Sequence, residues 1–165
     1  MDHSLFNHIT TFVFDVDGVF TNSEVIVTES GELLRTMNTR DGQAVKIALE
    51  NGYKVAIITK GFSTGVRKRF ELLGIPYIYD KLSEKTEAFQ DLVENLKLEK
   101  KEILYMGDDI PDLILYDKVG ISACPCDAAT ENLQKAMYIS PFKGGHGCVR
   151  EVIEHVMRLQ GKWNF

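Results

Sequence analysis

The chain has 165 residues, 44% of them hydrophobic, enough to bury one ordinary core without disulfides or a structural metal. Its net charge of −5, with 19 basic residues scattered apart from a cluster at Arg67, Lys68 and Arg69, argues against nucleic acid as the main partner. No apolar run approaches the ~20 residues that span a bilayer, so no membrane partner is expected. The first ten residues, MDHSLFNHIT, show neither a basic start nor an apolar stretch; together with three cysteines, this leads us to expect a reduced, cytoplasmic protein.

In chain order, the hydrophobic period alternates between strand and helix. Phe12 to Phe14 reads as a first strand, running straight into Asp15 and Asp17. Residues 24–38, EVIVTESGELLRTMN, break the alternation and read as a β-hairpin insertion around the turn Glu29-Ser30-Gly31-Glu32. A helix is predicted over Gly42 to Glu50, a strand over Val55 to Ile58, and a helix over Thr64 to Leu73. A short strand, Tyr77 to Tyr79, leads to a helix over Lys85 to Leu96, then a strand over Ile103 to Met106. Asp112 to Tyr116 follows as a helix with Pro111 in its first turn, where a missing N–H costs little. The remainder reads as strand Ile121 to Ala123, helix Thr130 to Lys135, strand Met137 to Ile139 and helix Val149 to Leu159.

Such alternation implies an α/β fold: a doubly wound, mainly parallel, Rossmann-like sheet covered on both faces. With no internal repeat or linker, residues 1–165 are expected to form a single domain. Cys124 and Cys126 flank Pro125 without a second Cys/His pair at ligand spacing, so they are expected to be two small buried thiols. His3, His8, His146 and His155 show no metal spacing either, and apart from His146 they are read as surface or loop residues.

Ligands of an open parallel sheet bind outside the carboxyl ends of its strands. Asp15 and Asp17 sit at such an end; being two apart on extended chain, they point the same way, and Gly18 lets the backbone turn around whatever they face. Alone, an Asp-x-Asp-Gly run is equally well a turn with capping acids. Other strand ends decide. Thr59 closes the second strand, and GDDIPD after the fourth adds Asp108, Asp109 and Asp112.

Two unit charges ~4 Å apart interact by about 4 kcal/mol at an effective dielectric of ~20, so five carboxylates at one edge require a cation. A hard ion suits an oxygen set, and Mg²⁺ accepts carboxylates and phosphate oxygens together. A lysine at the start of a helix, Lys85, or its competitor Lys81, adds positive charge. The combination suits phosphoryl transfer to an aspartate. Asp15 is then the nucleophile, and Asp17 the acid that protonates the leaving alcohol and later activates water. Asp108 holds Mg²⁺, while Thr59 and Lys85 hold phosphate oxygens.

With these residues in order, the chain resembles the haloacid dehalogenase superfamily of phosphatases over essentially its whole length. DVDGV, Thr59, Lys85 and GDDIPD match its four motifs. The resemblance implies that the metal is held by Asp15, by the backbone carbonyl of Asp17 and by Asp108, with Asp109 and Asp112 as nearby acids. Spacing back from GDD favours Lys85 over Lys81.

Finer features, DVDGVFTN, the short hairpin where larger relatives insert a cap domain, NTRDG and KGGHGCVREV, are similar to the small capless subgroup that includes 3-deoxy-D-manno-octulosonate 8-phosphate phosphatases. That likeness implies a phosphorylated sugar acid as substrate, Mg²⁺ as cofactor, and a homotetramer whose neighbouring subunits close the site. Arg40 and the segment Gly144 to Gly147 become substrate-side candidates on the same ground. Thr59-Lys60-Gly61 and Thr21-Asn22-Ser23 depart from the TGR and TDG common in the family, which leaves a nine-carbon ulosonic acid 9-phosphate as an alternative substrate.

Three other readings are weaker. KGGHG lacks the GxxxxGK[ST] spacing of a nucleotide cradle and follows the last strand. A phospho-accepting receiver domain uses similar residues but carries its acidic pair early and its phosphorylated aspartate later, against the order here. A non-catalytic scaffold would leave the acids serving assembly alone, and five of them at one edge speak against it.

Overall fold

The structure, a computed structural model, describes residues 3–165, so the first two residues of the expected 1–165 domain lie outside it. The described residues form, in chain order, β1 Thr11–Phe14, β2 Ile26–Val27, β3 Leu33–Leu34, α1 Thr39–Glu50, β4 Lys54–Ile58, α2 Thr64–Leu73, β5 Tyr77–Tyr79 and α3 Lys85–Leu96. They continue as β6 Ile103–Met106, α4 Leu113–Tyr116, β7 Ile121–Pro125, α5 Thr130–Lys135, β8 Tyr138–Ser140 and α6 Cys148–Leu159.

The long sheet is parallel throughout and ordered β5-β4-β1-β6-β7-β8. β1 therefore lies inside, with the chain winding outward to β4 and β5 on one side and to β6, β7 and β8 on the other. This is the predicted doubly wound architecture, and the crevice where the winding reverses opens at the carboxyl end of β1.

All four residues of β1 are buried, as they must be in a sheet covered on both faces. Phe12 and Phe14 join a core with α1, α2 and α6, whereas Val13 points the other way into a second core with α3 and α4. Local chemistry sets the helix starts. Asn38 caps α1 by accepting the Arg40 N–H, which begins the helix three residues before the predicted Gly42. α3 begins at Lys85 as predicted, placing that side chain at the sheet edge. Among the described residues, no helix is long and apolar enough to cross a membrane.

The insertion at residues 24–38 is a hairpin, but its ladder is only Ile26–Val27 against Leu33–Leu34. All four strand residues are exposed. Three other expectations need correction. The fourth helix starts at Leu113 rather than Asp112, because Ile110–Asp112 forms a 3₁₀ turn closed by a capping box between Asp109 and Asp112. Cys124 is buried as expected, but Cys126 is exposed, since it enters the turn that ends β7. His155 is half-buried rather than freely exposed: it lies on α6, stacks with Tyr138 and meets Phe6 edge-on. Phe6 belongs to a 3₁₀ turn, His3–His8, too short to show a period in the sequence.

Candidate active site

The Asp15 N–H donates to the Met106 carbonyl at 3.0 Å, extending the β1–β6 ladder one residue and delivering Asp15 to the crevice. Gly18 then turns the chain at φ 84°, where an added Cβ would lie 1.8 Å from Asp108 Oδ2. Only glycine lets the first loop come this close to the loop after β6. The result is a cavity of about 290 Å³ lined by Asp15, Asp17, Ser23, Thr59, Lys60, Gly61, Lys85, Asp108, Asp109, Pro111 and Asp112. Residues from three strand ends, those of β1, β4 and β6, and from the start of α3 thus converge on one volume.

Its floor is a buried ionic network. Lys85 Nζ donates to Asp112 Oδ1 at 2.5 Å and to the Tyr105 hydroxyl at 3.2 Å, and it lies 2.9 Å from Asp15 Oδ1. The Asp15 contact is close enough for an ion pair but off-line for a hydrogen bond, so Asp15 Oδ1 is buried without a donor. Asp112 is saturated instead: Tyr105 also donates to Oδ1, and the N–H groups of Asp108 and Asp109 donate to Oδ2. Asp112 thereby holds the GDD loop in place, while Asp109 faces outward and accepts from the Ile110 N–H.

Electrostatics follow from this crowding. Burial, joined by the charges of Asp15, Asp112 and Asp109, pushes the Asp108 carboxyl up to about 7. Burial raises Asp15 as well, opposed by Lys85 and reinforced by Asp112. Burial alone would lower Lys85, but Asp15 and Asp112 together push it up. Asp15, Asp108 and Asp112 each offer an oxygen within 4.8 Å of the others. A donorless buried oxygen on Asp15, beside an Asp108 that repels it, fits a hard divalent cation. Because Asp112 is already engaged on both oxygens, Asp15 and Asp108 are the side chains with capacity left for the ion.

The other sequence candidates fall in different places. Thr59 is buried at the end of β4, its hydroxyl accepting the Gly61 N–H at 3.2 Å. Lys81 lies over the Phe62 ring, 4.0 Å from its centroid, and does not line the cavity, whereas Lys85 does. Asp17 lines the cavity with Asp15, but its carboxylate is gripped by Arg35 from just beyond β3. Sequence reasoning missed Arg35; the only signal was a cation at the foot of a hairpin that follows the acidic pair. Ser23, also unforeseen, adopts φ 62° and donates to Asp108 Oδ2 at 3.3 Å.

Arg40 is not brought to the acids. It lines a separate cleft of about 540 Å³ with Asn38, His146, Gly147, Arg150 and Arg158. The segment Gly144 to Gly147 is divided. Gly144 packs so tightly that a Cβ would lie 1.9 Å from the Gly18 carbonyl oxygen, and the Gly145 N–H donates to the Val19 carbonyl at 2.9 Å. These two glycines brace the acidic loop from behind, while His146 and Gly147 face the Arg40 cleft.

A doubly wound sheet with Asp-x-Asp-Gly after its central strand, Thr after the next, and a lysine and Gly-Asp-Asp opposite defines a hydrolase of the haloacid dehalogenase class. No family model matches the chain. The 3-deoxy-D-manno-octulosonate 8-phosphate phosphatase of Escherichia coli K12 is 37% identical over 155 residues, covering 94% of this chain and 82% of the relative. The crystal structure of the Yersinia pestis phosphatase of the same name superposes with a TM-score of 0.94 at 32% identity, covering 97% of this chain and 86% of the other. The Moraxella catarrhalis phosphatase, crystallised with a magnesium ion, a phosphate ion and KDO, gives a TM-score of 0.92 at 30% identity over 96% of this chain and 91% of the other. The chain belongs to the 3-deoxy-D-manno-octulosonate 8-phosphate phosphatase family.

Proposed function

We propose that this protein is a Mg²⁺-dependent phosphatase that hydrolyses 3-deoxy-D-manno-octulosonate 8-phosphate through an aspartyl-phosphate. The observation that carries the reading is the pairing of Asp108 with an Asp15 whose buried oxygen lacks a donor, at the one sheet edge where the motif residues meet. The likeness to a relative crystallised with magnesium, phosphate and KDO supports the same ligands here.

Asp15 attacks phosphorus through a carboxylate oxygen, and the bond from phosphorus to the sugar oxygen breaks. Asp17 gives its proton to that leaving oxygen, so the product departs as an alcohol. Asp17 then takes a proton from water as the water attacks the acyl phosphate, which releases inorganic phosphate and restores Asp15. Lys85 orients Asp15 and offsets charge on the phosphoryl oxygens, with the Thr59 hydroxyl and nearby backbone N–H groups as further donors. Asp15, the Asp17 carbonyl and Asp108 would hold Mg²⁺, with Asp109 and Asp112 supporting them. The ion supplies the positive charge that lets a dianionic phosphate approach a carboxylate.

The domain is the whole of residues 1–165, and the functional form is a homotetramer with Arg40 acting on the substrate side of a neighbouring subunit's cleft. We place the enzyme in the cytoplasm, where its three free thiols stay reduced. The test is a kcat/KM panel of 3-deoxy-2-ulosonic acid 8- and 9-phosphates, with Mg²⁺ and with EDTA. Metal-dependent phosphate release, fastest with the eight-carbon 8-phosphate, is expected. Equal poor rates would sink the substrate, and a long-lived phosphoprotein without phosphate release would replace the enzyme by a receiver.

A further inference from the structure

Asp15 and Asp17 are two residues apart, yet their partners come from different parts of the chain. Lys85 approaches Asp15 from α3, within the body of the fold. Arg35 approaches Asp17 from the hairpin, with Nε donating to Oδ1 at 2.5 Å and Nη2 to Oδ2 at 3.0 Å. The third nitrogen, Nη1, donates to the Leu33 carbonyl at 3.1 Å and so ties the guanidinium to the hairpin's own backbone. Although every strand residue of the hairpin is exposed, the Arg35 side chain is only 8% exposed.

A guanidinium fork against a carboxylate fixes the plane of the acid as well as its position, which a lysine does not. Space for the pair is left by Gly61: a Cβ there would lie 3.1 Å from Asp17 Oδ2 and 3.8 Å from Arg35 Nη2. Arg35 itself does not line the cavity of the acids, so it reaches the chemistry through Asp17.

We propose that Arg35 is a positioning residue that holds the Asp17 carboxyl through Nε on Oδ1, in the place and plane from which Oδ2, released from Nη2 and carrying the proton, serves the leaving oxygen, and that it couples that placement to the hairpin. The proposal rests on the reading of Asp17 as the acid. It makes a claim that a merely structural role would not: loss of Arg35 should hurt most where the leaving group needs a proton. An alkoxide leaving from a sugar phosphate needs one, whereas nitrophenolate leaves without.

The test compares Arg35→Met, Arg35→Lys and Asp17→Asn with the unaltered chain on 3-deoxy-D-manno-octulosonate 8-phosphate and on p-nitrophenyl phosphate. The quantity read is kcat/KM, which reports transfer to Asp15, and melting checks the fold. Arg35→Met should lose about 10- to 100-fold on the sugar phosphate and no more than about threefold on the aryl phosphate, within the range spanned by general-acid catalysis. Arg35→Lys keeps the charge without the fork and should show an intermediate bias. Equal losses on both substrates for Arg35→Met, beside a biased Asp17→Asn, would overturn the role of Arg35 alone. Equal losses for Asp17→Asn as well would overturn the assignment of Asp17 and the proposal with it.

Discussion

In the acidic cleft, the chain itself holds most of the working side chains: Asp112 accepts four hydrogen bonds, Lys85 spans two acids, and Gly18 and Gly144 bring three loops into contact. The hairpin is built differently. Its two-residue ladder leaves Ile26, Val27, Leu33 and Leu34 exposed, and its polar tie to the body is the grip of Arg35 on Asp17. A lone two-stranded hairpin is marginal in water, and this one is apolar on both sides, Ile26 with Leu34 on one face and Val27 with Leu33 on the other, exposed surface of the sort found at interaction sites. The contrast separates a site that one chain can assemble from an appendage that needs a cover, consistent with the proposed tetramer.

The largest expected effect tests the cleft at its centre. Asp15→Asn should lower kcat by at least about a thousandfold, since removing a nucleophile abolishes the intermediate; steady-state phosphate release measures it. Next, Asp108→Asn should weaken Mg²⁺ binding by at least about 10- to 100-fold, the cost of altering even an outer partner of a metal ligand. Calorimetric titration of the metal-free protein reads this directly. Unchanged affinity would mean that the cleft does not gather its acids around an ion.

Two glycines then set the regions against each other. Gly144→Ala forces a Cβ into the Gly18 carbonyl and should cost about 1–3 kcal/mol, with a fall in kcat as the acidic loop shifts. Gly31→Ala, in the hairpin turn at φ 82° with nothing within 4 Å, should cost about 1 kcal/mol from backbone strain alone and leave kcat unchanged. Denaturant melts and initial rates distinguish them.

The last effect is on pH. In the metal-free protein Asp108 is raised from 3.8 to about 7, so folding favours its protonated form. That stabilisation is complete below the ordinary carboxylate range and is lost as pH rises through about 7. Mg²⁺ competes with this proton, so its stabilising effect should grow over the same window. Melting temperatures in EDTA and in Mg²⁺ between roughly pH 5 and 8 should diverge as pH rises. Parallel curves would contradict it.

Much of the sheet could be read directly because its strands are buried on both faces and end at punctuating residues. Tyr77–Tyr79, Ile103–Met106 and the helices at Thr64, Lys85 and Thr130 coincide with the prediction. The motif acids, Thr59 and Lys85 were also legible, since each follows a strand or opens a helix and so inherits its place from the topology. Arg35 was hidden because the path of a hairpin back to its strand end depends on turn geometry and not on period. Arg40 was placed on the substrate side by likeness alone, and within one chain it faces another cleft. What a side chain does across a subunit boundary leaves no mark in the spacing of its neighbours.

The contact between Gly144 and the Gly18 carbonyl has a consequence for synthesis. Asp15 and Asp17 emerge from the ribosome more than a hundred residues ahead of Gly144, and domains fold as units once their parts are available. The brace for that loop arrives only after β8, together with the α6 residues that cover Phe12 and Phe14. The acidic loop is therefore made well before its brace and is among the last pieces to acquire its final shape.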